Sequence, residues 1–134
     1  MWQGKYVLVT MIFLSLVAMC LLGSKTERKE ESKYTMINME TAKSIFEEEG
    51  DYIILDVRHA DEYAEGHIKG AIHIDNDVIG TEEIDKLPDK EQTIYVYCRS
   101  GNRSKQAAKK LADLGYKNIV EIGGILDWKG EIVK

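Results

Sequence analysis

Residues 93–114 read TIYVYCRSGNRSKQAAKKLADL, and this stretch decides the class of fold. Its first part, 93–98, is rich in β-branched and aromatic residues, which is typical of a buried strand. Its second part repeats apolar residues on one face of a helix that stops at Gly115. A strand that leads through a short polar loop into a helix predicts one β-α unit of a parallel sheet.

The same alternation of strands and helices continues on both sides of this unit. The predicted strands are 34–37, 52–57, 71–74, 93–98 and 118–121, and the predicted helices are 39–50, 60–65, 82–87 and 103–114. Parallel neighbours in a sheet need crossover connections, which the intervening helices supply. Residues 34–134 are therefore predicted to form an α/β domain with a mainly parallel sheet.

The composition narrows the classes of function. A chain of 134 residues allows one folded domain. Its 18 Lys and Arg against 23 Asp and Glu give a net charge of −5, which argues against binding to a phosphate backbone, so no nucleic acid partner is expected. Two cysteines cannot build a disulfide framework, and histidines at 59, 67 and 73 lack the paired spacing of a zinc site, so no metal is expected.

An uncharged stretch of 19 residues, YVLVTMIFLSLVAMCLLGS, lies between Lys5 and Lys25. As a helix it would be roughly 28 Å long, close to the ~30 Å hydrocarbon core of a bilayer. We expect residues 1–24 to be a signal peptide, a lipoprotein signal or a membrane anchor, and residues 25–33 to be a charged spacer. Without residues 1–24, 17 basic residues remain against 23 acidic ones, a charge of −6.

All three alternatives for residues 1–24 bring the chain to a membrane. Val17-Ala18-Met19-Cys20 is similar to a bacterial lipoprotein box with Cys20 as the lipidated residue, although Met19 stands where Gly, Ala or Ser is usual. The basic residues after the segment would, counted alone, place the C-terminal side in the cytoplasm. The short n-region and the mixed-charge spacer favour export, so we expect an extracytoplasmic domain, secreted or membrane-anchored.

The chemistry is expected in the loop that follows Cys98. Ligands of open α/β sheets bind beyond the carboxyl ends of the strands, where the first turn of a helix also presents unpaired N–H groups. Helix N-termini and neighbouring arginines favour the thiolate form of a cysteine. We therefore expect Cys98 to be largely thiolate near neutral pH and to act as a nucleophile.

Three neighbours of Cys98 give this loop its anion-binding character. Gly101 lets the chain curl so that successive N–H groups point inward as a nest. Arg99 and Arg103 add positive charge and planar hydrogen-bond donors. The alternative is a buried structural cysteine followed by a polar turn, which rarely coincides with two arginines, a glycine and a helix start.

Four motifs in this order resemble the rhodanese (sulfurtransferase) domain over residues 34–134. They are Leu55-Asp-Val-Arg58 with Glu62-Tyr63, Gly66-His-Ile-Lys-Gly-Ala-Ile72, Tyr97-Cys-Arg-Ser-Gly-Asn-Arg-Ser104, and Gly123-Gly124 with Trp128. The resemblance implies a five-stranded, mainly parallel sheet flanked by helices, with the sulfur-carrying cysteine in the loop after the fourth strand.

The resemblance also implies an activity. In the family, the cysteine takes a sulfane sulfur from a donor such as thiosulfate, holds it as a persulfide, and passes it to cyanide or an acceptor thiol. Cys98 would be the sulfur carrier, with no cofactor other than the covalent persulfide, in a protein that we expect to be a monomer. The loop that would cradle the terminal sulfur and bind the anionic donor consists of Arg99, Ser100, Gly101, Asn102, Arg103 and Ser104. Two half-reactions through one covalent intermediate predict ping-pong kinetics.

Other activities of the same fold stay open as alternatives. Cys98 and Arg103 enclose four residues, whereas the phosphatase relatives enclose five, so the shorter loop favours sulfur over a tetrahedral phosphate. An arsenate reductase would need a second cysteine in the exported domain. A binding or sensory module is the remaining alternative, and it corresponds to family members that lack the cysteine.

Residues outside the loop are expected to support the structure. Asp56 ends a strand, and Arg58 is expected to form a structural ion pair with Glu62, as the resemblance suggests. Packing roles are expected for His67, Tyr95, Tyr97 and Trp128.

Overall fold

A central sheet of five parallel strands organises the computed structural model, which describes residues 33–80 and 84–134. The strands in chain order are β1 (Thr35–Met36), β2 (Tyr52–Asp56), β3 (His67–Ile68), β4 (Ile72–His73), β5 (Thr93–Cys98), β6 (Asn118–Gly124) and β7 (Ile132–Val133). The order across the sheet is β1-β6-β5-β2-β4, and each neighbouring pair is parallel. The two remaining strands, β3 and β7, pair antiparallel as a separate small sheet.

Three α-helices connect these strands: α1 (Met39–Phe46), α2 (Ala60–Glu65) and α3 (Asn102–Asp113). Helix α1 begins at Asn38, whose side-chain oxygen accepts a hydrogen bond of 2.8 Å from the Thr41 amide, as an N-cap residue does. Two single-turn 3-10 helices, Asn76–Val78 and Ile125–Asp127, complete the set within the described residues.

Successive side chains of the central strands point to opposite faces of the sheet, so each face has its own apolar core. On one face, Leu55 and Val96 pack against Ala107 and Leu111 of α3. On the other face, a second cluster forms around α1 and β3: Met39, Ala42, Ile54, Ile68, Ala71, Tyr97 and Ile122. Strands that are covered on both faces explain the nearly continuous apolar sequence at 52–57 and 93–98.

The five-stranded parallel sheet with flanking helices confirms the fold expected from the sequence. Two local predictions differ from the structure. The first helix ends at Phe46 rather than at Gly50, and the described part of the predicted helix 82–87 is only a turn, in which the Leu87 amide donates to the Ile84 carbonyl at 3.0 Å. The small sheet of β3 and β7 was missed, because two-residue strands are too short to show a period in the sequence.

The predicted signal or anchor segment, residues 1–24, and most of the predicted spacer lie outside the described residues. Within 33–80 and 84–134, none of the helices combines the length and the apolar character needed to span a bilayer.

Candidate active site

Cys98 is the last residue of β5 and lies at the floor of the loop that leads into α3. The residue is only 1% exposed, so its sulfur is almost completely enclosed by protein. The Gly101 amide donates a hydrogen bond to Cys98 Sγ at 3.0 Å. Gly101 has φ of 106°, a left-handed conformation that glycine adopts without strain, and this conformation turns its N–H toward the sulfur.

A second segment, at the end of β6, closes the loop from one side. A Cβ at Gly124 would overlap the carbonyl of Arg99, so only glycine allows this close approach. The Leu126 amide donates to the same carbonyl at 3.3 Å. The Gly123-Gly124 motif therefore has a structural role: it fixes the backbone of the loop at Arg99.

Behind the loop lies a buried polar chain that the sequence analysis missed. Cys98 Sγ donates to Ser104 Oγ at 3.4 Å, and Ser104 Oγ lies 2.5 Å from Glu121 Oε1. The Gly123 amide donates to the same carboxylate oxygen at 2.9 Å. Ser104 is 0% exposed and Glu121 2%, so all three side chains are enclosed by protein.

One signal in the sequence could have revealed Glu121. Residues 119–122 read IVEI, so Glu121 comes two residues after Ile119 in the strand. Side chains two residues apart in a strand lie on the same face, and Glu121 therefore faces the protein interior together with Ile119. A charged residue on an apolar strand face is rare unless it has a partner, and here the partner is the hydroxyl of Ser104.

Arg103 forms a bidentate ion pair with Glu62, at Nη1–Oε2 2.7 Å and Nη2–Oε1 2.9 Å. The hydrogen bond from Arg103 lowers the pKa of Glu62 to about 2 against the opposing effect of burial. The same bond raises the pKa of Arg103. Its charge is thus balanced by a carboxylate from α2, and the pair joins that helix to the start of α3.

The expected ion pair between Arg58 and Glu62 was wrong, because each residue takes another partner. Arg58 Nη2 lies 2.7 Å from Asp56 Oδ2, and it also donates to the carbonyl of Gly66 at 2.6 Å. Asp56 is fully buried, so the neighbouring guanidinium compensates its charge. Asp56 and Arg58 consequently fix the connection between β2 and β3.

The remaining loop residues, Arg99, Ser100 and Asn102, are exposed at the rim. Within the described ranges, Arg99 has no carboxylate partner, unlike Arg103. Arg99 is therefore the loop cation with an uncompensated charge. The two residues that follow Arg99, Ser100 and Gly101, line an open groove of about 940 Å³ that also includes Glu121 and Leu126.

Aromatic side chains near the site pack against the core, as expected. Tyr97 is fully buried, its hydroxyl accepts from the Ile68 amide at 3.1 Å, and burial raises its pKa. His67 stacks on Tyr63 with ring centroids 3.7 Å apart. Trp128 packs beside Phe46 at 5.9 Å.

Only one group in the described part of the chain has the arrangement of metal ligands: His59, Asp75 and Asp77. These residues lie mostly exposed at the surface, where His59 Nδ1 already pairs with Asp75 Oδ2 at 2.8 Å. The cluster does not include Cys98.

Comparison with known proteins identifies the family of the chain. A family model described as the rhodanese-like domain matches residues 38–131, and the chain belongs to this family. The match includes the cysteine loop, the paired residues Asp56 and Arg58, and the glycines at the end of β6.

Two curated relatives carry sulfur-related names. The chain is 30% identical over 110 residues to the putative sulfur carrier protein YrkF of Bacillus subtilis, an alignment that covers 81% of this chain and 58% of that relative. It is 36% identical over 73 residues to the thiosulfate sulfurtransferase PspE of Escherichia coli, with coverage of 54% of this chain and 70% of the relative. The chain thus spans little more than half the length of the first relative.

Solved structures show the same fold. A rhodanese with anions from E. coli is 34% identical to this chain with a TM-score of 0.57, and the superposition covers 62% of this chain and 98% of that one.

Proposed function

We propose that this protein is a sulfurtransferase that carries sulfane sulfur as a persulfide on Cys98. The observation that supports this proposal most directly is the position of the thiol: Sγ lies at a helix start, with the amide of Gly101 directed at it at 3.0 Å. A loop built this way stabilises negative charge on sulfur. The relatives named as sulfurtransferase and sulfur carrier point to the same class of reaction.

The first half-reaction loads the enzyme. Cys98 Sγ forms a bond to the outer sulfur of thiosulfate, the S–S bond of the donor breaks, and its electron pair leaves with sulfite. If Cys98 enters as a thiol, its proton leaves on the sulfite as hydrogen sulfite, and the persulfide keeps one negative charge. Exposed Arg99 is the group that attracts the anionic donor to the loop, because its charge is not compensated.

The second half-reaction transfers the sulfur from the Cys98 persulfide to an acceptor. A thiophilic acceptor such as cyanide, or an acceptor thiol as its thiolate, attacks the outer sulfur, and the electron pair of the S–S bond returns to Cys98 Sγ. The product is thiocyanate or an acceptor persulfide. Two half-reactions through one covalent intermediate require ping-pong kinetics.

The loop length supports sulfur rather than phosphate as the transferred group. Four residues separate Cys98 from Arg103, and Arg103 is already held by Glu62 in a bidentate ion pair. An arginine held in this way has few donors left for the oxygens of a phosphoryl group. Phosphatase activity is therefore the weaker candidate.

Mass spectrometry of the intact protein after incubation with thiosulfate tests the proposal. We expect a mass gain of one sulfur atom that maps to the peptide containing Cys98, and its loss on addition of cyanide with formation of thiocyanate. The matched control is Cys98→Ser, which keeps the size of the side chain and removes the nucleophile. A binding module would take up no sulfur, and a phosphatase would hydrolyse an aryl phosphate instead.

A further inference from the structure

Strand β6 has one extra residue beside the cysteine loop. β5 and β6 keep a regular parallel register as far as Val96, which lies opposite Glu121, but Cys98 then lies opposite Gly124. Two steps along β5 are therefore matched by three steps along β6, which is a bulge in β6. A bulge redirects the chain that follows it, and its extra residue is left without a partner in the ladder.

The side chain of Glu121 supplies a partner within this bulge. Gly123 has φ of 93°, in the left-handed region, and its amide donates a hydrogen bond of 2.9 Å to Glu121 Oε1. Glu121 is buried on the same face of the strand as Ile119, where an aliphatic side chain would be usual. Burial of a carboxylate costs free energy unless donors satisfy it. Packing alone therefore does not account for an acid at this position.

The same carboxylate oxygen reaches the first turn of α3 through Ser104. The buried Ser104 hydroxyl lies within hydrogen-bond distance of four groups: Glu121 Oε1 at 2.5 Å, the Gly101 carbonyl at 3.0 Å, the Gly123 carbonyl at 3.4 Å and Cys98 Sγ at 3.4 Å. Whichever oxygen takes the single hydroxyl proton, this side chain bridges the bulge of β6 and the cysteine loop. Glu121 thus contacts both sides of that junction.

Gly101 is the loop residue whose position depends on the bulge. A Cβ built on Gly101 would lie 3.7 Å from Gly123 Cα and 3.9 Å from Glu121 Oε1, so no more than a methyl group would fit between Gly101 and these two residues. The Gly101 amide is directed at Cys98 Sγ at 3.0 Å. Movement of the bulge would consequently change the direction of a backbone donor that points at the sulfur.

We propose that Glu121 is a positioning residue, which holds the bulge of β6 in place and thereby keeps the Gly101 amide directed at Cys98 Sγ. This inference rests on the proposed sulfur transfer for its effect on catalysis, whereas the hydrogen bond and the bulge do not depend on any donor. Backbone donors stabilise developing charge best when they are aligned before the reaction. Loss of the acceptor at position 121 should therefore slow the transfer step more than it weakens the capture of thiosulfate, which is assigned to Arg99.

Two variants separate the hydrogen bond from the filling of the strand position. Glu121→Leu fills the position but accepts no hydrogen bond, whereas Glu121→Gln keeps an amide oxygen that can accept from Gly123. The matched control is Ile119→Val, which weakens packing on the same strand face and leaves the bulge intact. Circular dichroism and thermal melting show whether each full-length variant is folded.

Amide hydrogen exchange without any sulfur donor is the first measurement. It is followed by NMR on the full-length chain in a mild detergent, with isotope-labelled glycine, so that the 11 glycines alone give signals. The Gly115 amide, which donates to the Ala112 carbonyl at 3.0 Å, is the internal reference for global opening. In the wild type we expect the Gly123 amide to be protected. Glu121→Leu should speed exchange at Gly101 and Gly123 by about tenfold or more relative to Gly115.

Single-turnover loading of Cys98 by thiosulfate is the second measurement. For Glu121→Leu we expect the maximal loading rate to fall by about tenfold or more, with a change of less than about threefold in the half-saturating thiosulfate concentration. Glu121→Gln should restore both the loading rate and the exchange ratio to within about threefold of wild type. Ile119→Val should leave both near wild type.

Rapid exchange of the Gly123 amide in the wild type overturns the proposal, whether or not the variants fold. A folded Glu121→Leu variant with wild-type exchange ratios does the same, as does an Ile119→Val variant that changes those ratios equally. A glutamine variant that behaves like the leucine variant assigns the effect to charge and contradicts the positioning role. If the wild type takes up no sulfur, the proposed function fails, and the exchange ratios still decide whether Glu121 holds the bulge.

Discussion

Cys98 belongs both to the site and to the core, because the last residue of β5 packs with Val96 and Ala107 on one face of the sheet. Its thiol is held by a backbone amide from the loop and by a hydroxyl from α3. A change at this position therefore affects chemistry and packing together, and the replacement must be close in size.

Replacement of Cys98 by Ser should abolish sulfur transfer and leave the fold intact. A hydroxyl does not form a persulfide, so thiosulfate:cyanide activity should fall by at least about 10³-fold. The cost in stability should be about 1–2 kcal/mol, since a polar group replaces a buried sulfur but keeps Ser104 and Gly101 as partners. Activity well above background in the variant would mean that another group carries the sulfur.

The two arginines of the loop should differ in their effects. Arg99→Ala removes an uncompensated cation, so KM for thiosulfate should rise about 3- to 10-fold with a smaller change in kcat. Arg103→Ala should lower activity too, mainly through loss of the anchor to Glu62. Lys109→Ala on the exposed face of α3 is the control and should leave both parameters near wild type. Equal effects at all three positions would contradict an anion-binding loop.

At the scale of elements, the ion pair between Glu62 and Arg103 connects α2 to the N-terminal turn of α3. The partners are 41 residues apart in sequence, so the pair is a product of the tertiary fold. It is partly buried and bidentate, which makes it stronger than a typical surface ion pair.

This pair should give stability a defined pH dependence. The folded state holds the pKa of Glu62 at about 2, below its ordinary value of 4.5, so the stabilisation is complete above pH 4.5 and disappears as the pH falls toward 2. Urea unfolding should show Glu62→Gln less stable than wild type by about 1–2 kcal/mol at pH 7, with the difference closing below pH 3. A difference that is constant from pH 7 to pH 2.5 would point to packing instead of charge.

A substitution at the end of β6 tests how closely this strand packs against the backbone of the cysteine loop. Gly124→Ala would force a methyl group into the carbonyl of Arg99, so the free energy of unfolding should fall by about 2–4 kcal/mol and sulfur transfer should be largely lost. Gly115→Ala is the control: its φ is 96°, but no atom beyond the neighbouring residues in the chain lies within 4 Å of the added methyl group. That control should cost only about 1–2 kcal/mol and retain activity.

At the scale of the whole molecule, the apolar segment before residue 25 sets the expected location. It lies outside the described residues, and the expectation rests on its 19 uncharged residues, the short n-region before them and the charged spacer after them. We expect the full-length protein to sediment with membranes or to occur as a cleaved exported form, with the catalytic domain outside the cytoplasmic membrane. Protease added to intact cells or spheroplasts should digest the domain, and protection until the membrane is broken would place it in the cytoplasm.

Cys20 is the residue at which the lipoprotein alternative can be tested. If Cys20 is the lipidated residue, Cys20→Ser should stop processing by lipoprotein signal peptidase and leave sulfur transfer unchanged, because the proposed sulfur carrier is Cys98. Processing that persists in the variant would show an ordinary signal peptide instead.

The class of fold and the position of Cys98 between a strand and a helix could be read from the sequence, because both depend on local patterns. Strands covered on two faces leave apolar runs such as 93–98, helices leave a 3.6-residue period, and Gly101 marks the turn between them. The anion-binding character of a helix start is likewise a property of a few consecutive residues.

The partners of the charged residues were decided only by the tertiary structure. Arg58 and Glu62 are near each other in sequence, yet the fold pairs Arg58 with Asp56 and brings Arg103 from 41 residues away to Glu62. The register between β5 and β6 places Glu121 behind the loop, where Ser104 joins it to Cys98. Ion pairs and buried polar chains depend on distances of a few ångströms between distant segments, and such distances are set by packing rather than by any local period in the sequence.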